Sequence, residues 1–226
     1  MKFHYTNLDT CHEAAGIVLV IDVLRAFSTA AYAFSRGAKE IILVSTVEEA
    51  LALRPCILES MAMGEVRGLR PEGFDFGNSP TQICEHDLYG RTLIQRTSAG
   101  TQGVVRSAKA DVLVPTSFVV ASATIRYISK LEPGEVTFVI TGIHNNDEDI
   151  ACAEYLEALF KGHRPDTKPF VQRVYGSRDA IQHLDPAQPE FPLSDLDYCT
   201  QIDRFDFAMP ITRENGRLVM RTVKPT

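Results

Sequence analysis

Several features that mark special classes of protein are scarce in this sequence. Tryptophan is absent, and 23 Lys and Arg residues stand against 29 Asp and Glu residues, which gives a formal net charge of -6. An acidic chain without clusters of basic residues is a poor candidate for binding nucleic acid through its overall electrostatic field. We therefore expect no nucleic-acid partner, whereas a small anion would need only a local pocket.

Long apolar runs and paired cysteines are missing as well. The longest apolar run, residues 14–21, falls well short of the ~20 residues that cross a bilayer, and the first residues lack the pattern of an export signal. The five cysteines are widely spaced and show no CxxC or Cys/His metal spacing, so neither disulfides nor a zinc site is predicted. We expect a cytoplasmic protein with no membrane partner.

What is present is the composition of an ordinary globular protein. The 226 residues are 45% hydrophobic and 23% charged, which suits one large α/β unit with a full core. No linker divides the chain, so we expect a single domain over residues 1–226. Soluble enzymes of this size commonly form symmetric oligomers, and a homodimer is the expected assembly.

Apolar runs alternate with segments of helical periodicity, which favours βα units and a mostly parallel sheet. The continuous apolar run at residues 16–21 is typical of a strand covered on both faces. An Asn-Gly pair at residues 215–216 predicts a hairpin. We therefore expect a three-layer α/β/α fold with a C-terminal hairpin. The other predicted strands are residues 41–44, 92–95, 112–114 and 136–140, and the predicted helices are residues 25–36, 46–54, 101–108, 119–130, 148–161 and 194–201.

Asp22 stands out because it ends the first apolar run and precedes a helical segment. A carboxylate there, followed by Arg25, Ser28 and Thr29 around the helix start, suits the binding of Mg²⁺ and phosphate. It equally suits an N-cap that accepts hydrogen bonds from free helix amides. Phosphatases of the haloacid dehalogenase type carry a second Asp two positions later, where this chain has Leu24, so we reject that class.

A second candidate follows the strand predicted at residues 92–95. Residues 96–101 read Arg-Thr-Ser-Ala-Gly-Thr, and the guanidinium of Arg96, the hydroxyls and the amides before a helix would cradle an anion. A turn whose hydroxyls satisfy backbone groups explains the same residues without a ligand.

Acidic residues offer Mg²⁺ ligands beside Asp22. Glu65 lies in a loop rich in Gly and Pro, residues 63–80, and Asp149 ends an acidic run at residues 147–149. Mg²⁺ prefers oxygen ligands and retains waters, so one to three carboxylates suffice. The helix dipole also favours acidic residues in a first turn, which explains the run without a metal. The histidines show no metal spacing, and only His144 follows a predicted strand closely.

Several of these segments together resemble the 2-phosphosulfolactate phosphatase family, the ComB-like proteins. The resemblance is carried by IDVLRA at residues 21–26, GE at 64–65, GFDFGNSP at 73–80, residues 97–101 and the Glu-Asp pair at 148–149. It spans about residues 16–160, and residues 195–199 and 203–206 of the tail look similar too. The resemblance implies an α/β/α fold, a Mg²⁺-dependent phosphatase activity and a small substrate with phosphate, carboxylate and sulfonate groups.

The residue pattern and the resemblance together assign the candidate site. Asp22, Arg25 and Glu65 are the expected catalytic residues, and Asp22, Glu65 and Asp149 are the expected Mg²⁺ ligands. The expected substrate-binding residues are Ser28, Thr29, Arg67, Asn78, Ser79, Arg96, Ser98, Gly100 and Thr101.

Two positions depart from the family pattern. Ala99 stands where the family usually has Asn, and Val119 or Val120 stands where it also tends to have Asn. Each lost amide removes hydrogen bonds to an anionic ligand, at ~0.5–1.5 kcal/mol each. The leading hypothesis is a Mg²⁺-dependent phosphatase acting on a small phosphorylated 2-hydroxy acid. The alternative is a catalytically inactive anion-binding or regulatory homologue, and a phosphotransferase or lyase on the same scaffold is a third possibility.

Overall fold

The computed structural model of the protein describes residues 1–142 and 147–225, so His144 lies outside the described residues. The strands are β1 Lys2–Asn7, β2 Gly16–Ile21, β3 Glu40–Leu43, β4 Met61–Gly64, β5 Thr92–Arg96, β6 Ala110–Thr116, β7 Glu135–Ile140, β8 Ile211–Glu214 and β9 Arg217–Met220. The helices are α1 Ala26–Ser35, α2 Val47–Leu53, α3 Pro80–Cys84, α4 Gly100–Arg106, α5 Ala121–Ser129, α6 Asp147–Phe160, α7 Lys168–Gly176 and α8 Ser194–Cys199.

The first sheet is entirely parallel, with the strand order β1-β7-β2-β6. The apolar run of β2 lies inside it, as predicted. Val18 and Val20 face a cluster that contains α1, whereas Leu19 and Ile21 face a cluster that contains α5 and α6. Both faces of the strand are therefore covered by helices, which explains why its sequence is apolar without alternation.

The second sheet has the order β4-β5-β3-β9-β8. Its first three strands are parallel, while β9 runs antiparallel to β3 and forms a hairpin with β8. Asn215 and Gly216 connect the hairpin with φ angles of 51° and 76°, the left-handed conformation that a two-residue turn requires. The predicted C-terminal hairpin is thus confirmed.

The α/β fold with a mostly parallel sheet is confirmed, but the strands divide between two sheets. Strand periodicity does not specify which strands pair, so the sequence pattern left this division open. α1 packs in one cluster with β2 and, through Ile41 and Leu43, with β3, so the helix lies between the sheets. Every residue of α1 except Ser35 is buried. The single-domain assignment stays a prediction.

Four elements were missed by the sequence pattern: β1, β4, α3 and α7. β1 is an edge strand with mostly exposed, polar residues, so it lacks the apolar run that identifies a buried strand. α7 lies in the polar tail and buries only Val174. Within the described ranges, no helix has both the length and the apolar character needed to cross a membrane.

Candidate active site

A pocket of about 490 Å³ lies where the ends of strands from both sheets meet the tail. We call its first side the strand-end wall: the residues that follow β2, β4, β5 and β7, with the start of α6. The described residues of this wall are Asp22, Leu24, Arg25, Glu65, Arg67, Gly68, Asn78, Ser98, Ala99, Gly142, Glu148 and Asp149. The second side, the C-terminal wall, consists of Asp179, Gln182, His183 and Phe191.

Asp22 is buried at the end of β2, in a position that allows both roles that the sequence left open. Its Oδ1 accepts a hydrogen bond from the amide of Ala26 at 2.8 Å, as a helix cap does, and the carboxylate also lines the pocket. A Cβ on Gly100 would lie 2.7 Å from Asp22 Oδ2, so this close approach requires glycine. Burial raises the pKa of Asp22 to about 7, and the negative charge of Glu65 adds to the rise.

Asp149 ties the start of α6 to the ends of two strands. Its Oδ1 accepts from the amide of Val23 at 2.8 Å and its Oδ2 from the amide of Gly142 at 2.9 Å. Burial raises the pKa of this carboxyl well above its usual value, and the charges of Glu148 and Asp22 add to the rise. A buried carboxylate that bonds two amides fixes the geometry of this part of the wall.

From the sequence, Glu148 belongs to an acidic first turn and to the Glu-Asp pair of the family resemblance, but it is not among the predicted site residues. In the structure it is 2% exposed, lines the pocket, and its Oε2 has no hydrogen-bond partner within the described residues. Burial raises its pKa to about 7, with further contributions from the charges of Asp179 and Asp22. A buried, unpartnered carboxylate oxygen is costly in a folded protein, which is the signature of a ligand-binding group.

Glu65 joins the loop after β4 to the loop after β5. Its Oε1 accepts from the Ser98 amide at 2.5 Å, and its Oε2 accepts from the Gly68 amide at 2.6 Å and the Ser98 hydroxyl at 3.0 Å. Arg96 supports the same junction by donating to the carbonyl oxygens of Glu65 and Ser45. Arg96 is not among the residues that line the pocket, so its predicted contact with substrate stays a prediction.

Residues 97–101 form the turn that the sequence allowed as an alternative to an anion cradle. The Thr101 hydroxyl accepts from the Thr97 amide and donates to the Thr97 carbonyl, and the Thr101 amide donates to the Thr97 hydroxyl. Thr101 is fully buried and does not line the pocket. Ser98 and Ala99 do line it, so this turn presents two small side chains to a ligand.

Arg25 is held in the pocket wall by contacts from the tail. Its Nη1 donates to Asp195 Oδ2 at 2.6 Å and to the Glu190 carbonyl at 2.8 Å, and its guanidinium lies 4.6 Å from the centre of the Phe191 ring. Both partners of the ion pair are buried. Asp195 was not predicted as a site residue, and the family likeness of residues 195–199 was the signal that pointed to it.

The other predicted substrate-binding residues divide into two groups. Asn78 and Arg67 line the pocket, and Asn78 Oδ1 is buried with no partner within the described residues. Ser28 and Thr29 do not line it: the Ser28 hydroxyl donates to the Val23 carbonyl at 2.8 Å.

Ser79 donates to Asp195 and caps α3 by accepting from the Gln82 amide. It faces a neighbouring pocket of about 530 Å³. Of the two positions that depart from the family pattern, Ala99 lines the first pocket, whereas Val119 and Val120 are buried in the core.

The electrostatic balance of the pocket favours a cation. Its described lining includes five carboxylates and the two guanidinium groups of Arg25 and Arg67, and Arg25 is already paired with Asp195. No group of three or more His, Cys, Asp or Glu side chains in the described ranges forms a ready metal cage. Mg²⁺ does not need one, because it is usually bound by one or two carboxylates, waters and substrate phosphate. Asp22 and Glu148, whose Oε2 has no hydrogen-bond partner among the described residues, fit that donor set.

Comparisons with known proteins agree on one family. The family model for 2-phosphosulpholactate phosphatase matches residues 4–214. A protein of Bacillus subtilis (strain 168) named "Probable 2-phosphosulfolactate phosphatase" is 36% identical over 202 residues, covering 88% of this chain and 89% of the relative. A relative of the same name from Thermotoga petrophila is 30% identical over 215 residues, covering 90% and 91% of the two chains.

Proposed function

Because the chain belongs to the 2-phosphosulfolactate phosphatase family, we propose that it hydrolyses the phosphate ester of a small 2-hydroxy acid, 2-phosphosulfolactate or a close analogue. The products would be the hydroxy acid and inorganic phosphate. One observation carries the proposal: a pocket of about 490 Å³ combines buried carboxylates with the buried guanidinium of Arg25. A volume of this size suits a small molecule, and the two charge types suit a metal-bound phosphate ester.

Mg²⁺ is part of this proposal, with Asp22 and Glu148 as the residues that would hold it. When bound, the ion would polarise the phosphoryl group and offset the charge that develops on it. Both carboxylates have pKa values raised by burial and by neighbouring negative charge, a cost that a cation between them would offset. Glu65 and Asp149, the other predicted ligands, would use second lone pairs on oxygens that already bond amides.

The remaining residues would bind and orient the substrate. Arg25 is fixed by Asp195 and Phe191, so it would present its guanidinium to the phosphate or acid group without much loss of side-chain entropy. Arg67 is exposed at the pocket and would meet the acid group that faces solvent. The Ser98 hydroxyl donates to Glu65, a carboxylate whose oxygens also accept from the amides of Gly68 and Ser98. We therefore favour direct in-line attack by water over a covalent intermediate on Ser98.

Phosphate release tests the proposal. The protein is incubated with 2-phosphosulfolactate, phospholactate and phosphoglycolate, with Mg²⁺ or with EDTA. We expect release from at least one substrate with Mg²⁺, loss of release in EDTA, and recovery when Mg²⁺ is restored in excess. Tight binding without hydrolysis would contradict the proposal and support the second candidate, an inactive anion-binding homologue, which Ala99 in the pocket wall favours. Product formed without an equal amount of phosphate would indicate a phosphotransferase or lyase.

Two further expectations remain predictions from sequence: a cytoplasmic location and a homodimer. Light scattering coupled to size-exclusion chromatography would test the assembly.

A further inference from the structure

His183 lies in the C-terminal wall, and none of the roles proposed above involves it. It belongs to the short 3-10 helix Ile181–Leu184, is 4% exposed and lines the pocket. Its surroundings determine which ring nitrogen carries the proton and which is available to a ligand.

The contact at Nδ1 fixes the tautomer of His183. Nδ1 lies 2.9 Å from the carbonyl oxygen of Pro192. A carbonyl oxygen accepts hydrogen bonds and does not donate them, so Nδ1 carries the hydrogen. In the neutral ring, Nε2 then keeps its lone pair. No residue within 1–142 and 147–225 donates a hydrogen bond to Nε2, so this acceptor is available to a molecule in the pocket.

The ring of His183 is also held in place. It packs edge-on against Phe191, with centroids 5.5 Å apart and planes at 86°. The same Phe191 ring supports the guanidinium of Arg25 at 4.6 Å. One aromatic side chain therefore positions both a proton acceptor and an anion-binding group in the same pocket, which is the arrangement that a hydrolytic site requires.

The charges around His183 favour its neutral form. Burial lowers the pKa of the ring, and the positive charge of Arg25 lowers it further. The Pro192 carbonyl and the charge of Asp195 act in the opposite direction but do not reverse the effect. The ring is therefore an acceptor at neutral pH.

We propose that Nε2 of His183 accepts a proton from the water that attacks the phosphorus atom. This inference rests on the proposed phosphatase function. As the water oxygen bonds to phosphorus, one of its protons passes to Nε2, and the bond between phosphorus and the ester oxygen breaks. The ester oxygen keeps the electron pair and takes a proton from solvent. The imidazolium returns its proton to solvent, so one water is consumed and the hydroxy acid and phosphate are released.

Two substitutions separate this role from a structural one. His183→Asn retains a side-chain N–H that can reach the Pro192 carbonyl but removes the acceptor at Nε2. His183→Ala removes the whole ring and leaves space for free imidazole. Ile181→Ala is the matched control, because Ile181 belongs to the same turn but is 62% exposed and is not among the residues that line the pocket. Phosphate release is measured for all four proteins at saturating and limiting substrate, and their melting temperatures confirm that they are folded.

For His183→Asn we expect kcat to fall about 100-fold, the usual contribution of a positioned base, with KM within about threefold of the native value. Added imidazole should restore much of the activity of His183→Ala and leave Ile181→Ala unchanged. Folded His183 variants that keep kcat within about threefold of the native protein would overturn the inference. A loss in His183→Ala that imidazole leaves unchanged would overturn it too. If the native protein releases no phosphate, the proposed function itself fails.

Discussion

The two walls of the pocket are built by different kinds of contact. In the strand-end wall, Asp22 and Asp149 are held by main-chain amides at the strand ends, and the Val23 amide that bonds Asp149 lies 126 residues away along the chain. In the C-terminal wall, Phe191 and His183 are held by ring packing and by one carbonyl, and the buried pair of Arg25 and Asp195 joins the two walls. The first wall therefore depends on main-chain amides brought together at the strand ends, whereas the second is held by contacts between neighbours in the tail and joined to the first by one buried ion pair.

The substitution that should lower phosphate release most removes the charge of Asp22 from the strand-end wall and leaves the structure of the wall intact. Asp22→Asn keeps an oxygen that can accept from the Ala26 amide but removes the charge that would hold Mg²⁺. We expect phosphate release to fall about 1,000-fold, equivalent to ~4 kcal/mol of transition-state stabilisation. The assay is phosphate release at saturating Mg²⁺.

Stability provides the control for Asp22→Asn. Because the folded-state pKa of Asp22 is raised from 3.8 to about 7, its contribution to stability is fully present below about pH 3.8 and is lost as the pH rises through 7. In EDTA at pH 8 the variant should therefore melt at or above the native temperature. A clearly lower melting temperature would mean that the carboxylate serves mainly as a helix cap.

The second substitution removes the ion pair between Arg25 and Asp195, which joins the two walls. Asp195→Ala leaves Arg25 buried without its carboxylate and removes the acceptor for the Ser79 hydroxyl and the Thr81 amide. Loss of one partner of a buried ion pair costs about 3–5 kcal/mol, measured by urea unfolding. Asp197→Ala, on the same helix but exposed, removes only the acceptor for the Tyr175 hydroxyl and should cost about 0.5–1.5 kcal/mol. Equal costs for the two variants would show that the ion pair does not support the pocket.

A third substitution, with a smaller expected cost in the free energy of unfolding, tests the packing of the strand-end wall. In Gly100→Ala the new Cβ would meet both Asp22 Oδ2 and Ala26 Cβ at 2.7 Å. Overpacking of this kind costs about 1–3 kcal/mol, and it should lower kcat as well because Asp22 must move. Gly176→Ala, where no atom lies within 4 Å of the new Cβ, is the matched control and should unfold at nearly the native urea concentration.

The smallest effect concerns substrate choice. Ala99→Asn adds an amide to the pocket wall at the position where the family pattern has Asn. One new hydrogen bond to an anionic substrate, at ~0.5–1.5 kcal/mol, would lower KM for 2-phosphosulfolactate about 2- to 13-fold relative to phosphoglycolate. An unchanged ratio of kcat/KM for the two substrates would show that residue 99 does not contact the ligand.

The difference between the strand-end wall and the C-terminal wall explains which site residues could be predicted from the sequence. Asp22 and Asn78 were found because they follow apolar runs or lie in a distinctive motif, and strand ends are where α/β folds bind ligands. Glu148 was dismissed because an acidic first turn has an ordinary explanation. His183 and Asp195 lie in a polar tail without periodicity, and only tertiary contacts bring them to the pocket. The division into two sheets was hidden for a related reason, since pairing is a long-range property.

The most direct test is a crystal structure of the protein with Mn²⁺ in place of Mg²⁺ and with inorganic phosphate. We expect an anomalous Mn²⁺ peak within coordination distance of Asp22 and Glu148, with the phosphate bound to the ion and to the guanidinium of Arg25. A Mn²⁺ peak away from these carboxylates, or phosphate bound instead in the neighbouring pocket beside Ser79 and Thr81, would contradict it.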